Sequence, residues 1–371
     1  MPEILEIMVQ NMVNIPLIQP LVDILLNIPI INYIVALILW KPIFAVLIIP
    51  GLGALMLVLL IIVWWERKLT ARVQWRVGPL EVFRHAGGVI QVMADGMRYF
   101  FQEVIVHRNA HAIYFIQLPI LAFLPVLLPI LLIPAGPVYA IRSDYAIPAI
   151  VALIALIPVF IVAMGWASNN RFAYIGAVRE AFMYFAYEIP LIFAVLAMMV
   201  LYGSGDPFVI VEKQTVPGIF LNPFAALTFI IATVMATSRL PFEIPEADQE
   251  IAFGPFVEYS GILFGLVMTL AYEKLYLMSL LLTILFLGGW NGIAIPILGD
   301  FMPPFWLFLK AFVFMLLVSL LRSIYARYRL DQALKVGWSS ILALSIVSVA
   351  VSYALVFTGF AGFAGLKGWL P

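Results

Sequence analysis

Apolar runs about 20 residues long recur along this 371-residue chain, and that is the length an α-helix needs to cross the roughly 30 Å hydrocarbon core of a bilayer. The expected fold is therefore an all-α polytopic membrane protein. Composition agrees, with 65% hydrophobic and 11% charged residues, against roughly half apolar in soluble domains. Residues 41–371 should form a single bundle without a separate soluble domain. Residues 1–40 are apolar but broken by Pro16, Pro20, Asp23, Asn27, Pro29 and Asn32. They read as an interfacial or re-entrant lead-in, with one more spanning helix as the rival.

Eight spans are expected, near 42–65, 113–133, 147–166, 182–202, 222–238, 257–287, 304–322 and 337–358. At about 1.5 Å per residue the sixth exceeds the bilayer, so it should tilt, bend or break, with Gly261 and Gly265 as weak points. Near 88–105, Val89, Ile90, Met93, Met97, Phe100, Phe101 and Val104 recur at helical spacing, opposite Gln91, Asp95, Arg98 and Gln102. That is the pattern of an amphipathic helix lying in the interface plane. Connections 66–110, 167–181, 239–256 and 322–336 hold 14 of the 20 Lys and Arg residues. The positive-inside rule then puts these loops in the cytoplasm and both termini outside the cell membrane.

Zero net charge gives no reason to expect a nucleic-acid partner. With no cysteine, the chain can form neither disulfides nor cysteine-ligated clusters. His85, His107 and His111 share one charged connection, which argues against haem in the bundle core. His107 and His111 are four apart, as a metal pair would be, but no third ligand accompanies them, and an interfacial pair is the simpler reading. Electrons, if any pass, run through other chains.

The stretch from Arg239 to Ser260 concentrates Glu243, Glu246, Asp248, Glu250 and Glu258 within 16 residues. It is either a solvated loop or part of an ion route. Pro245 should open a short helix whose N-terminal dipole Glu246 and Asp248 complement, and Gly254-Pro255 should stop it. Glu243, Glu246 and Glu250 follow i, i+3, i+7 spacing, although the proline restart leaves a common face open. Glu188 near the start of the fourth span, and Glu258 and Glu273 on the sixth, are acids at membrane depth, which usually face a protein-lined or watery cavity. On one continuous helix the last two would stand about 60° and roughly 22 Å apart. The bland alternative for Glu273 is a snorkelling acid paired with Lys274. Arg67, Lys68, Arg72 and Arg76, with Gln74, are either a positive-inside flank or part of a site.

Four blocks in fixed order resemble a known family. They are Glu66-Arg67-Lys68 with Gln74, Arg76, Gly78 and Pro79; Ala94-Asp95-Gly96 with Glu103; Gly165-Trp166 through Asn169, Arg171, Gly176 and Arg179 to Tyr187-Glu188; and Arg239 through Pro241-Phe242-Glu243, Pro245-Glu246 and Gln249-Glu250 to Glu258-Tyr259-Ser260-Gly261 and Glu273. Over about residues 60–275 the chain is similar to the H-type, or heel, membrane subunit of respiratory complex I and its relatives in archaeal membrane-bound hydrogenases and other ferredoxin-linked complexes.

The resemblance implies a coupling role. The acids Glu188, Glu243, Glu246, Asp248, Glu250, Glu258 and Glu273 would form the ion pathway. Glu66, Arg67, Lys68, Arg72, Gln74, Arg76, Asp95, Glu103, Arg171, Arg179 and Arg239 would serve redox-arm docking or a quinone chamber. It also implies hydrophilic iron–sulfur and large catalytic subunits on the cytoplasmic side, with nickel–iron in some branches, and antiporter-like membrane subunits. Quinone-using members usually follow Gly-Pro with a second Arg-Val-Gly-Pro element. Here Leu-Glu-Val-Phe-Arg-His-Ala-Gly-Gly follows Gly78-Pro79, which favours the hydrogenase or sulfur-reductase branch over a quinone or phenazine reductase. A stand-alone ion-coupled secondary transporter is the reading from another class.

Overall fold

The computed structural model describes residues 8–28, 31–293 and 296–358, so the expected outside placement of both termini falls outside the described residues. The main helices are α1 (Lys41–Val73, broken between Leu47 and Leu52), α2 (Ile90–Phe101), α3 (Ala112–Leu132), α4 (Ala146–Ala167), α5 (Arg171–Tyr202), α6 (Pro223–Ala236), α7 (Gly261–Phe286), α8 (Leu298–Ile324) and α9 (Leu330–Phe357). Among the described residues, seven of these are long and apolar enough to cross a membrane, and the protein is an all-helical polytopic membrane protein.

The expected fifth span is α6, which has only 14 residues and so a length of about 21 Å. Its N-cap is buried in protein: Asn222 accepts from the Ala225 amide and donates to the Ser348 carbonyl and the Ser352 hydroxyl of α9. Because protein meets its N-terminal polar groups there, that end need not reach the headgroups. Ahead of α1, the helices Gln19–Leu26 and Ile31–Leu39 have 8 and 9 residues, or roughly 12–14 Å each.

Two expected boundaries move. The fourth span starts at Arg171, not near 182, because no residue between 171 and 182 breaks a helix, and Asn170 caps it by accepting from the Phe172 amide at 2.8 Å. Charges ended the apolar run but not the helix. The sixth starts at Gly261, whose positive φ of 57° ends the preceding loop, so Glu258 lies outside it. Gly265 is no bend: it lies against the Tyr99 ring of α2.

Helix α7 is the axis of the bundle. Every residue from Glu273 to Phe286 is buried, so the charges of Glu273 and Lys274 lie inside protein and not against lipid. Its C-terminal end is closed by Lys310 of α8, whose Nζ donates to the carbonyls of Leu287, Gly289 and Asn291 at 2.8, 2.9 and 2.7 Å. On α2, Met93, Met97, Phe100 and Phe101 are exposed, while Asp95 turns inward to Arg67 and Gln91. An apolar face turned outward is what a helix in the membrane interface requires.

The acidic segment crosses the bundle end and lands on α5, where a Cβ on Gly176 would lie 2.5 Å from Pro255 Cδ and 2.7 Å from Gly254 Cα. A Cβ on Gly96, on α2, would meet nothing within 4 Å. Gly176→Ala should therefore lower stability by about 1–3 kcal/mol through overpacking. Gly96→Ala should be neutral or raise it by up to about 1 kcal/mol. Thermal unfolding of the two purified variants side by side checks both.

Candidate functional site

The acidic segment is anchored by Arg239. Its guanidinium donates to both oxygens of the Glu66 carboxylate, at 2.6 and 2.8 Å, and stacks 4.1 Å from the centre of the Tyr272 ring. The same carboxylate accepts from the Tyr272 hydroxyl at 2.8 Å and from Arg322 at 2.7 Å. Arg322 also reaches Glu243 at 3.5 Å. Burial opposes the charge on Arg239, but Glu66 and then Tyr272 more than offset it, so its pKa stands above the ordinary value. Four separate elements, α1, the acidic loop, α7 and α8, thus share one buried ionic node.

From this node the acids lead inward. Half-buried Glu246 faces Glu180 of α5 and Glu243. Glu180 and Glu188, both on α5 and both buried, lie within electrostatic reach of Lys274 of α7. Lys274 donates to the Tyr187 hydroxyl at 2.9 Å, and one Glu188 oxygen has no hydrogen-bond partner. The order is Glu243, Glu246, Glu180, Lys274, Glu188. Desolvation first, then Glu180 and Glu243, push Glu246 up to about 7, against the pull of Arg239 and Arg322. Desolvation also raises Glu243, opposed by Arg322 and Arg239.

Other expected pathway acids do not join this string. The short helix starts at Asp248, not Pro245, because the chain around Glu246 remains a turn, so Glu243, Glu246 and Glu250 share no helical face. Asp248 and Glu250 point outward. Burial raises Asp248 above its ordinary value, against Arg327 and Arg322. Glu250 accepts from Arg179 at 2.6 Å and Arg327 at 3.4 Å, and the Arg179 hydrogen bond holds it below its ordinary value. Glu258 accepts from Asn170 and lies 3.9 Å from His107, on another face of α5. Glu273 is buried with Thr269 beside it. It is not paired with Lys274, because adjacent helical residues point about 100° apart.

The docking residues divide similarly. Arg67 pairs with Asp95, Lys68 donates to the Pro79 carbonyl at 2.6 Å, and Arg76 donates to Gln74 at 2.8 Å. Arg67, Arg76, Gly78, Pro79 and Gln91 line a cleft of about 530 Å³. Arg72 and Glu103 are exposed. Arg171 lines a separate cleft of about 450 Å³ with Trp166 and His111, whose rings stack 4.5 Å apart. Sequence reasoning missed Glu180, Lys274, Tyr272 and Arg322 as site residues. Residues 180, 184, 187 and 188 fall on one helical face, a signal that appears only once α5 is known to start at Arg171.

This is a helical membrane protein whose interior carries linked ionisable groups from a loop into the bundle. Similarity to known proteins narrows that class. A family model described as NADH dehydrogenase matches residues 44–353. An H-type subunit of the NADH-quinone oxidoreductase of Rhizobium etli is 33% identical over 317 residues, 82% of this chain and 91% of the relative. Its counterpart in Dehalococcoides mccartyi is 34% identical over 81% of this chain and 83% of its own length, and that of Rhizobium meliloti 34% over 81% and 93%. The chain belongs to the NADH dehydrogenase family, among the H-type membrane subunits of the complex I group.

Two outcomes test the site. Glu66→Gln leaves Arg239 buried without its counter-charge and should cost about 3–5 kcal/mol, whereas Glu250→Gln should cost under about 1 kcal/mol; thermal unfolding measures both. The second concerns pH. The folded protein holds the Glu246 proton more tightly than the unfolded chain, so this group's contribution to stability falls as pH rises from 4.5 to about 7. That is the sign required where the native state binds more protons. Glu246→Gln should therefore gain stability relative to the parent between about pH 5 and about pH 8, read from unfolding midpoints across that range.

Proposed function

We propose that this chain is the coupling subunit of an ion-translocating oxidoreductase complex. Redox chemistry in subunits docked at the loop face alters the charge or geometry of the Arg239–Ser260 segment. Glu243 and Glu246 then pass a proton, or its field, through Glu180 and Lys274 to Glu188. The carrying observation is that electrostatic coupling runs from Glu246 to Glu180 and, through Lys274, to Glu188, where one buried carboxylate oxygen has no partner. Buried ionisable groups in membranes mark such routes because only a pathway or a partner offsets their cost.

The concentration of Lys and Arg on the loop face supports a cytoplasmic orientation, with hydrophilic iron–sulfur and large catalytic subunits docking there and antiporter-like subunits alongside in the bilayer. The two short helices before α1 support an interfacial or re-entrant lead-in. That the relatives are named as subunits of larger oxidoreductases weighs against a stand-alone transporter.

For the electron acceptor, two observations pull apart. The sequence after Gly78-Pro79 favours a hydrogenase- or sulfur-reductase-type complex. The relatives' names favour a quinone reductase, and the cleft beside Arg67 and Gly78 offers room for a ring. The second reading carries more weight, because the matched family region spans 44–353 while the departure covers a few residues. Quinone-dependent oxidation of reduced partner by the purified complex separates them.

In the assembled complex in sealed vesicles, Glu246→Gln and Glu188→Gln should each lower ions moved per electron by roughly tenfold or more, with the redox subunits still bound. Translocation at the parental level in both variants would return these acids to a structural role.

A further inference from the structure

Lys274 is the one cation within the inner half of the acid string, and its surroundings are incomplete. It is buried at 3% exposure, and its ammonium donates to the Tyr187 hydroxyl at 2.9 Å while lying 5.0 Å from that ring's centre. Among the described residues no carboxylate comes within 4.0 Å of it. Yet Glu180 and Glu188 both lie within its electrostatic reach, and Glu188 keeps a buried oxygen without a partner. An ammonium has three donors, and here one is used. The ammonium is held by a neutral hydroxyl, with two acids in electrostatic reach and an ion pair to neither.

The two acids are eight residues apart on α5, about 12 Å along its axis, with Tyr187 on the same face. A lysine head moves on a flexible four-carbon stem with rotatable donors. One positive charge neutralises one carboxylate at a time, and a buried carboxylate left without a counter-charge is costly unless it takes a proton. The other titratable or charged groups nearby are Tyr184 beside Glu188, Glu246 and Glu243 beyond Glu180, and Arg239 and Arg322 beyond Glu246. Glu273, next to Lys274 in sequence, faces Thr269. None of these supplies a second cation to Glu188.

We propose that Lys274 is a positioning residue with two rest positions, its ammonium swinging about the Tyr187 hydroxyl between Glu180 and Glu188 and so setting which carboxylate carries the transported proton. With Lys274 on Glu188, the proton resides on Glu180, next to Glu246 and the loop. With Lys274 on Glu180, the proton resides on Glu188, deeper in the bundle. Proton and ammonium move in opposite senses, and no bond other than O–H is made or broken. The ligand held in turn by the two acids is a proton, and the lysine keeps them from being filled or emptied together. This inference rests on the coupling reading above and deepens it.

The test uses the whole complex in sealed vesicles, with Lys274→Met, which keeps the stem and removes the charge, beside Glu246→Gln. Lys274→Met should lose most of the protons moved per electron that the parent complex shows. Infrared difference spectra should show an additional protonated-carboxyl band in Lys274→Met that disappears when Glu188→Gln is added. This readout holds even if pumping is lost through weakened assembly, and a purely structural lysine would not produce it. If Glu246→Gln uncouples but Lys274→Met pumps normally and shows no new band, the lysine proposal is overturned and the coupling reading stands. If neither variant uncouples, the coupling reading itself falls.

Discussion

The contact on which this structure depends is the ion pair between Glu66 and Arg239, in which Nη1 of Arg239 donates to both carboxylate oxygens of a residue 173 positions away in sequence. Both side chains are 4% exposed, so neither can be solvated by water and each must find its charge in the other. A pair of this kind is a weak source of net stability, because desolvation consumes much of the Coulombic gain, but a strong penalty on any arrangement that separates it. It therefore selects one placement of the acidic loop. Arg322 and Tyr272 complete the Glu66 carboxylate, so α7 and α8 are held to that placement as well. At the loop's far end, the close approach of Gly254 and Pro255 to Gly176 supplies a second fixed point. Glu243 and Glu246 lie between these two anchors, and this is why they face the bundle.

That anchoring makes the loop sensitive to charge. Burial first, then Glu180 and Glu243, push Glu246 up to about 7 against Arg239 and Arg322. A unit charge appearing about 4 Å away is worth about 4 kcal/mol at an effective dielectric of about 20, or about 3 pKa units. In the proposed coupling route, transmission by field at the node and transmission by proton beyond it would be successive steps.

The spans, the amphipathic helix and the loop were legible in the sequence because each rests on composition or period over many residues. Span ends were less so. Arg171, Arg179 and Glu180 look like loop charges until they prove to lie on a capped helix that buries Glu180, and α6 looks like a full span until its short helix and buried Asn222 cap are seen. For the site, the sequence marked Glu66, Arg239, Glu243, Glu246 and Glu188 but not how they connect. Glu180 lay hidden in a presumed connection, Arg322 among flanking cations, and Lys274 as a presumed partner of its neighbour. Glu258 was misassigned for the converse reason: a single backbone feature, the positive φ of Gly261, separates it from the helix that its sequence position suggests. Charge density identifies a region, whereas pairing across more than 150 residues depends on packing.

The two lysines within the spans show how that packing separates structure from function. Lys310 and Lys274 carry the same charge at comparable places in the sequence pattern. Lys310 meets three carbonyl oxygens between 2.7 and 2.9 Å, as many acceptors as its ammonium has hydrogens, at a helix end whose dipole favours a cation. Moving it would break all three contacts, so it is a cap. Lys274 has one contact, to a neutral hydroxyl, and two acids that compete for it. A buried cation fully satisfied in one position has no reason to move. One with a single neutral contact and two acids in reach has less to hold it, and the proposed swing of Lys274 would be the two-state element that coupling requires.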